Sequence, residues 1–162
     1  MAYLLGEREC HGLMLQVGPA VLVPRADTET LVDWALELLA GTAATDVADL
    51  GTGSGAIALA LKHRHPSARV CAVDISAAAL ELAQASARRL ELGLEFVQGD
   101  WWQPLQGRRF HLVVSNPPYI AGNDPHLDAL RHEPALALTP GGDGLAALAQ
   151  IVREAPAHLH AG

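Results

Sequence analysis

The sequence predicts an α/β fold: an open, mostly parallel sheet with helices on both faces, preceded by a β-hairpin. Three observations carry this. From residue 46 onward, short apolar runs alternate with longer segments of helical periodicity, the pattern of repeated strand–helix units. Those runs are apolar at successive positions, as in "ARVCAVD" (68–74), so both faces of each strand are to be covered. Glycines cluster where the first such strand hands over to its helix, in "DLGTGSGAIA" (49–58).

Taken in order, "CHGLMLQVGPAVLV" (10–23) reads as two short apolar strands around Gly18-Pro19, a hairpin signal. Asp27 and Thr28 can cap a helix whose Leu31, Ala35, Leu38 and Leu39 share one face until Gly41 stops it. "DVADL" (46–50) is a strand, "GAIALALKHRH" (55–65) a buried helix and 68–74 the next strand. Ser76 caps a helix striped by Leu80, Ala83, Ala87 and Leu90; "LEFVQ" (94–98) and "FHLVVS" (110–115) are the remaining strands. A polar, Pro-rich loop (121–143) precedes a helix from about Gly144 to Ala155, with Leu145, Leu148 and Val152 on one face. No strand is legible beyond it, so the sheet is expected to lack its last strands and Ala161-Gly162 to be a fragment end.

At 162 residues the chain has the length of one domain. Its net charge of −7, with 11 Lys and Arg, argues against a nucleic-acid footprint, which needs clustered cations. Neither an apolar run of the roughly 18 residues needed to cross a bilayer nor a basic-then-apolar start is present, so no membrane span or signal peptide is expected. Two cysteines imply no disulfide framework; Cys71, in an apolar run, reads as a buried thiol, and a cytoplasmic location fits. The histidines, His63, His65, His158 and His160 among them, have no Cys or carboxylate cluster at ligand spacing, so no metal is expected.

Gly51, Gly53 and Gly55, with Thr52 and Ser54 between them, form a G-x-G-x-G loop. Such a loop lets backbone approach a ligand closely and presents helix N-terminal donors to it. It is neither the G-x-G-x-x-G of a dinucleotide fingerprint nor a phosphate loop with G-K-S/T; the competing reading is a tight turn without ligand. Asp74 ends the second parallel strand, where a carboxylate can accept ribose hydroxyls; alone it reads equally as a helix cap shared with Ser76. After the third, Asp100 can accept from an adenine amine and Trp101 offers the base a face, while Trp102 suits the core better. After the fourth, "VVSNPPYI" (113–120) stops the ladder with two prolines that fix φ and carry no donor.

Together these residues resemble the class I S-adenosylmethionine-dependent methyltransferases, and "NPPY" resembles the motif of those that methylate nitrogen conjugated to a π system. "LVPRADTE" (22–29) is similar to the P-R-P-[DE]-T-E block of the protein-(glutamine-N5) methyltransferases that act on peptide-chain release factors. "YLLGERECHGLMLQV" (3–17), "PHLDALRHEPALAL" (125–138) and "GGDGL" (141–145) also look like that family; Ala26 stands where the family has its second proline. The resemblance implies a Rossmann-like core binding S-adenosyl-L-methionine through Gly51, Thr52, Gly53, Ser54, Gly55, Asp74, Asp100, Trp101 and Asn116. It implies a substrate site at Asn116, Pro117, Pro118 and Tyr119, with Arg25, Thr28 and Glu29 as further candidates, and a division into a hairpin and loop (1–30) and a partial catalytic domain (31–162). It also implies that an N-terminal helical domain and the last three of seven strands lie outside this chain.

An amide nitrogen is a poor nucleophile because its lone pair is delocalised. If the Asn116 side-chain oxygen and the Pro117 carbonyl each accept one N–H of a substrate amide, they favour positive charge on nitrogen and aim it at a methyl donor. Tyr119 can pack on the planar amide. The resemblance thus implies N5-methylation of a release-factor glutamine, with release factors as partners and no direct nucleic acid. Two rivals remain: an adenine-N6 or guanine-N2 nucleic-acid methyltransferase, and an inactive cofactor-binding fragment.

Overall fold

A computed structural model describes residues 5–43, 45–130 and 132–161. Residues 3 and 4 of the upstream family-like stretch, residue 131 and Gly162 lie outside them.

The hairpin comes first, but earlier than the sequence suggests. Strands β1 (Glu7–Cys10) and β2 (Leu13–Gln16) pair antiparallel with Cys10 opposite Leu13. The turn is His11-Gly12, both with positive φ (51° and 80°), the geometry that matches the twist of paired strands. Gly18-Pro19 instead begins a turn closed by Val21 N–H to the Gly18 carbonyl at 3.1 Å, with no ladder around it. The apolar signal there is burial, not pairing: Val17 and Val21 pack on Ala79.

Strands β3 (Asp46–Leu50), β4 (Arg69–Asp74), β5 (Glu95–Gln98) and β6 (Leu112–Ser115) form one parallel sheet in the order β5-β4-β3-β6. Asp46 pairs with Arg69 and Val47 with Leu112. Helices α1 (Ala26–Leu39), α2 (Ala56–Arg64), α3 (Ala77–Arg89) and α6 (Ala146–His158) cover it, with two short helices, α4 (His126–Ala129) and α5 (Ala135–Leu138), in the loop that precedes α6. Side chains alternate across the strands. Val47, Val70 and Ala72 join α1, α2 and Leu13 and Leu15 of the hairpin in one apolar cluster. Ala48, Leu50, Cys71 and Val73 join Trp102, Leu105, Phe110 and Ile151 in the other. Both faces are covered, as the continuous apolar runs require.

Two helix faces differ from expectation. Arg25, not Asp27 or Thr28, is the N-cap of α1, its backbone N–H meeting Thr28 Oγ1 at 3.4 Å. Leu38 is exposed, and Val32 completes the buried face with Thr28, Ala35 and Leu39. In α6 the stripe Leu145, Leu148 and Val152 faces outward, while Ala147, Ile151 and His158 face the core. The apolar residues line up on both sides of this helix, and only packing distinguishes them.

The last difference concerns the end of the sheet. The sequence showed no strand after α6, yet the chain turns back beside β6. Phe110 donates to the His158 carbonyl at 2.8 Å and accepts from His160 N–H at 3.0 Å, a parallel bridge to Leu159. That pairing takes Phe110 and leaves β6 to begin at Leu112.

Candidate active site

The strand order reverses beside β3: the chain adds β4 and β5 on one side and β6 on the other. Ligands of open α/β sheets bind at such a reversal, beyond the carboxyl ends of the strands. A cavity of about 470 Å³ lies there. Its lining brings together Gly51–Ser54 after β3, Asp74 after β4, Asp100 and Trp101 after β5, and Asn116 and Pro118 after β6. Thr28 and Pro24 form part of one wall, Pro134, Leu136, Ala137 and Pro140 part of another.

The glycine loop is held by its neighbours. Gly51 and Thr52 donate to the Val73 carbonyl at 2.8 and 2.9 Å, and Gly53 N–H donates to Asp74 Oδ2 at 2.8 Å. Gly51 has φ 72°, and a Cβ there would stand 3.0 Å from the Trp101 ring. Gly55 serves a different purpose. It caps α2 at φ 81°, outside the cavity lining, and an added Cβ would meet Ala83 and Leu59 at 3.0 Å; its smallness seats α2 against α3.

Asp74 shows the helix-side contact weighed for it, together with a hold on the glycine loop. Oδ1 accepts from Ser76 N–H at 2.9 Å while Oδ2 holds the loop, and Ser76 Oγ caps α3 by accepting from Ala79 N–H at 3.2 Å. The two tryptophans divide as expected. Trp101, at φ 43°, lines the cavity; Trp102 is buried, donates to the Ile151 carbonyl at 3.1 Å and stacks on His158 at 4.5 Å.

After β6 the Asn-Pro-Pro-Tyr turn leaves the sheet. Ser115 Oγ donates to the Leu50 carbonyl at 2.7 Å and anchors its start; Ile120 N–H donates to the Leu138 carbonyl at 3.0 Å and anchors its exit. The Asn116 side-chain amide has no hydrogen-bond partner among the described residues. Pro117 and Tyr119 are not in the cavity lining, and Tyr119 is 61% exposed.

The candidates from the 22–29 block separate. Thr28 is buried and lines the cavity. Glu29 accepts from His11 N–H at 3.1 Å and so holds the hairpin turn. Arg25 reaches Glu133 at 2.5 Å.

One residue escaped the sequence reading. Asp49, within β3, is fully buried; its Oδ2 accepts from Thr52 Oγ1 at 2.6 Å and Ala58 N–H at 3.2 Å, and its Oδ1 has no partner among the described residues. Burial pushes its carboxyl up to about 7 against those hydrogen bonds, and Asp74 adds to the rise. The signal was a carboxylate inside an otherwise apolar strand.

The expectation that no carboxylate accompanies the histidines is also corrected. Ligand atoms of Asp46, His111 and His160 lie within 4.8 Å of one another at the opposite end of the sheet. They come from three neighbouring chain segments, so sequence spacing hides them. Asp46 is already held by Arg69 through two contacts of 2.7 Å, which keep its carboxyl below the usual range, and His111 Nδ1 accepts Asp46 N–H at 3.0 Å. Burial pushes the Cys10 and Cys71 thiols up to about 11 and about 12, and both are free. Among the described residues no helix is long and apolar enough to cross a membrane.

A sheet that reverses between a glycine loop and an Asn-Pro-Pro-Tyr turn is the core of a class I methyltransferase. The chain belongs to the methyltransferase small domain family, whose model matches residues 28–161. Among curated relatives it is similar to the release factor glutamine methyltransferase of Xylella fastidiosa (strain 9a5c), 52% identical over 165 residues, all of this chain and 60% of the relative. It is equally similar to the release factor glutamine methyltransferase of Bordetella pertussis, 52% identical over 98% of this chain and 60% of the relative. The chain thus spans about 60% of the length of the curated relatives it matches. Solved structures share the fold: a methyltransferase from Pyrococcus furiosus (TM-score 0.64, 20% identity, 93% of this chain and 66% of that one). A T. thermophilus 16S rRNA N2 methyltransferase in complex with AdoMet and guanosine is a second (TM-score 0.71, 21% identity, 96% of this chain and 39% of that one).

Proposed function

We propose that this chain carries the catalytic core of a cytoplasmic enzyme of translation termination. It transfers a methyl group from S-adenosylmethionine to the side-chain nitrogen of a glutamine in a peptide-chain release factor, within a Gly-Gly-Gln loop. One juxtaposition supports the reading above all: Asn116 lines the same cavity as the glycine loop and Asp74. The net charge of −7 favours a protein over a nucleic-acid substrate.

The residues present fit the cofactor. Gly51 leaves a cradle against Trp101 that a Cβ would fill. Each Asp74 oxygen retains a lone pair after its backbone contact, so ribose hydroxyls can still be accepted. Asp100 takes the adenine amine and Trp101 the base face. When bound, the group supplies an electrophilic sulfonium methyl.

The chain's own residues then act on the amide. Asn116 Oδ1 and the Pro117 carbonyl accept its two N–H groups and turn the nitrogen lone pair toward the methyl. Both proline φ values are fixed, so the carbonyl direction exists before substrate arrives. Those two oxygens would meet the positive charge that develops on nitrogen as the N–C bond forms and the sulfonium S–C bond breaks; the thioether, S-adenosylhomocysteine, would leave and the N–H proton would pass to water. Tyr119, exposed beside the turn, is available to close on the planar amide. Pro24 and Thr28, from the first 30 residues, contribute to one wall, while the glycine loop and Asn116 come from the rest of the chain; helix α1 itself runs across residue 30.

Mass spectrometry of a release factor after incubation with S-adenosylmethionine and the full-length protein is the direct test, and it should find one methyl on a glutamine. Asn116→Asp can accept an N–H but cannot donate to the substrate carbonyl. Single-turnover methyl transfer by it should fall on the order of 10²-fold at saturating cofactor. A near-normal rate would reduce the motif to a rigid turn.

A further inference from the structure

Arg25 and Glu133 join two segments that face each other across the cavity. Arg25 caps α1, one turn before the cavity-lining Thr28. Glu133 precedes Pro134, and Pro134, Leu136 and Ala137 line the cavity. Neither charged residue lines it. The guanidinium is half exposed, but the Glu133 side chain is only 12% exposed, and its Oε2 is buried with no hydrogen-bond partner among the described residues.

A solvent-exposed ion pair contributes little. This one is asymmetric. Removing the guanidinium leaves a largely covered carboxylate without the contact that ties its segment to α1.

That segment leads to the substrate turn. Glu133 stands at the start of α5, and the last residue of α5, Leu138, accepts the Ile120 N–H that closes the Asn-Pro-Pro-Tyr exit. Glycines farther along keep the join tight: Gly122 N–H donates to the Gly142 carbonyl at 3.0 Å.

We infer that Arg25 and Glu133 are a positioning pair, which fixes the 134–140 wall to α1 and through α5 holds the Asn-Pro-Pro-Tyr turn ready for its amide substrate. The inference rests on the proposed function for the identity of that substrate but not for the mechanical link.

The test has two arms. In the first, hydrogen exchange of the Ile120 amide is followed in the wild type, Arg25→Ala, Glu133→Gln and the double variant. Arg25→Ala should speed exchange about tenfold or more, within the coupling range of contacting charged groups. Glu133→Gln and the double variant, which break the same link, should speed it to the same extent. Unchanged exchange in Arg25→Ala, or an acceleration in the double variant equal to the two single effects compounded, would overturn the pair. In the second arm, kcat/KM for a release factor is measured with the full-length protein, alongside calorimetry of S-adenosylhomocysteine. Arg25→Ala should lower kcat/KM about tenfold with cofactor affinity retained, and the double variant should lower it no further. A stabilising contact with no positioning role predicts a lower melting temperature and unaltered transfer, which would also overturn the inference. A wild type that methylates no release factor would refute the substrate reading, while the exchange arm would still decide the mechanical link.

Discussion

At Asp49 a carboxyl group lies fully buried in β3, with Thr52 and Ala58 on one oxygen and no described residue on the other. Burial is the larger effect: the folded group titrates near 7 against 3.8 for its ordinary value. Between those values the folded chain binds a proton that the unfolded chain does not, so stability from this site declines as pH rises through the interval and is gone above about 7. Asp49→Asn, which does not titrate, should therefore gain in melting temperature relative to the wild type between pH 5 and pH 8, by the sign of that linkage. A constant difference between the two proteins across this range would show that Asp49 keeps an ordinary acidity. The sequence made Gly51, Asp74 and Asn116 legible because each stands beside a strand end, where only ligand or turn chemistry explains it. Asp49 was passed over because a strand pattern treats every interior position alike. Glu133 was passed over because its partner is on the far side of the chain.

The elements themselves were legible wherever burial and local pattern agree. All four parallel strands and helices α1 to α3 fall within a few residues of expectation, since both depend on continuous apolar runs and nearby caps. The hairpin was misplaced because Val17 and Val21 are apolar for a tertiary reason, against Ala79. The outward stripe of α6 followed from the same limit. One joint between elements lends itself to experiment. Gly144, at φ 84° just before α6, would place a Cβ 2.4 Å from the Tyr119 carbonyl oxygen. Backbone cannot yield as a flexible side chain does, and the left-handed conformation adds strain for any other residue. Gly144→Ala should lower the melting temperature and weaken protection of the Tyr119–Ala121 amides, whereas Gly12→Ala, with open space around its Cβ, should leave those amides alone. Equal effects of the two substitutions would mean that the contact with Tyr119 carries no constraint.

At the scale of the whole molecule, the sheet has one uneven edge. β6 is the last strand of the order β5-β4-β3-β6, and beyond it the described residues contribute only the Phe110–Leu159 bridge. Leu112, Val113 and Val114 thus offer backbone groups on an apolar strand, a template for another chain. We expect this chain to self-associate with rising concentration in sedimentation velocity. A monomer at all concentrations, melting cooperatively, would show that the side chains around β6 protect it. The sequence anticipated the open edge but not the bridge, because two residues of ladder leave no periodicity to read.

The reversal of strand order also divides the cavity in time. β3 pairs with β4 across a single helical crossover, but with β6 only after β4, α3 and β5 have been traversed. Closing the longer loop carries the greater entropic toll and slows the pairing that depends on it. On a growing chain, Gly51 to Asp74 are complete and can fold around one another while Asn116 is still unmade. The half of the cavity that faces the glycine loop is therefore the early half, and the amide-facing half is assembled upon it.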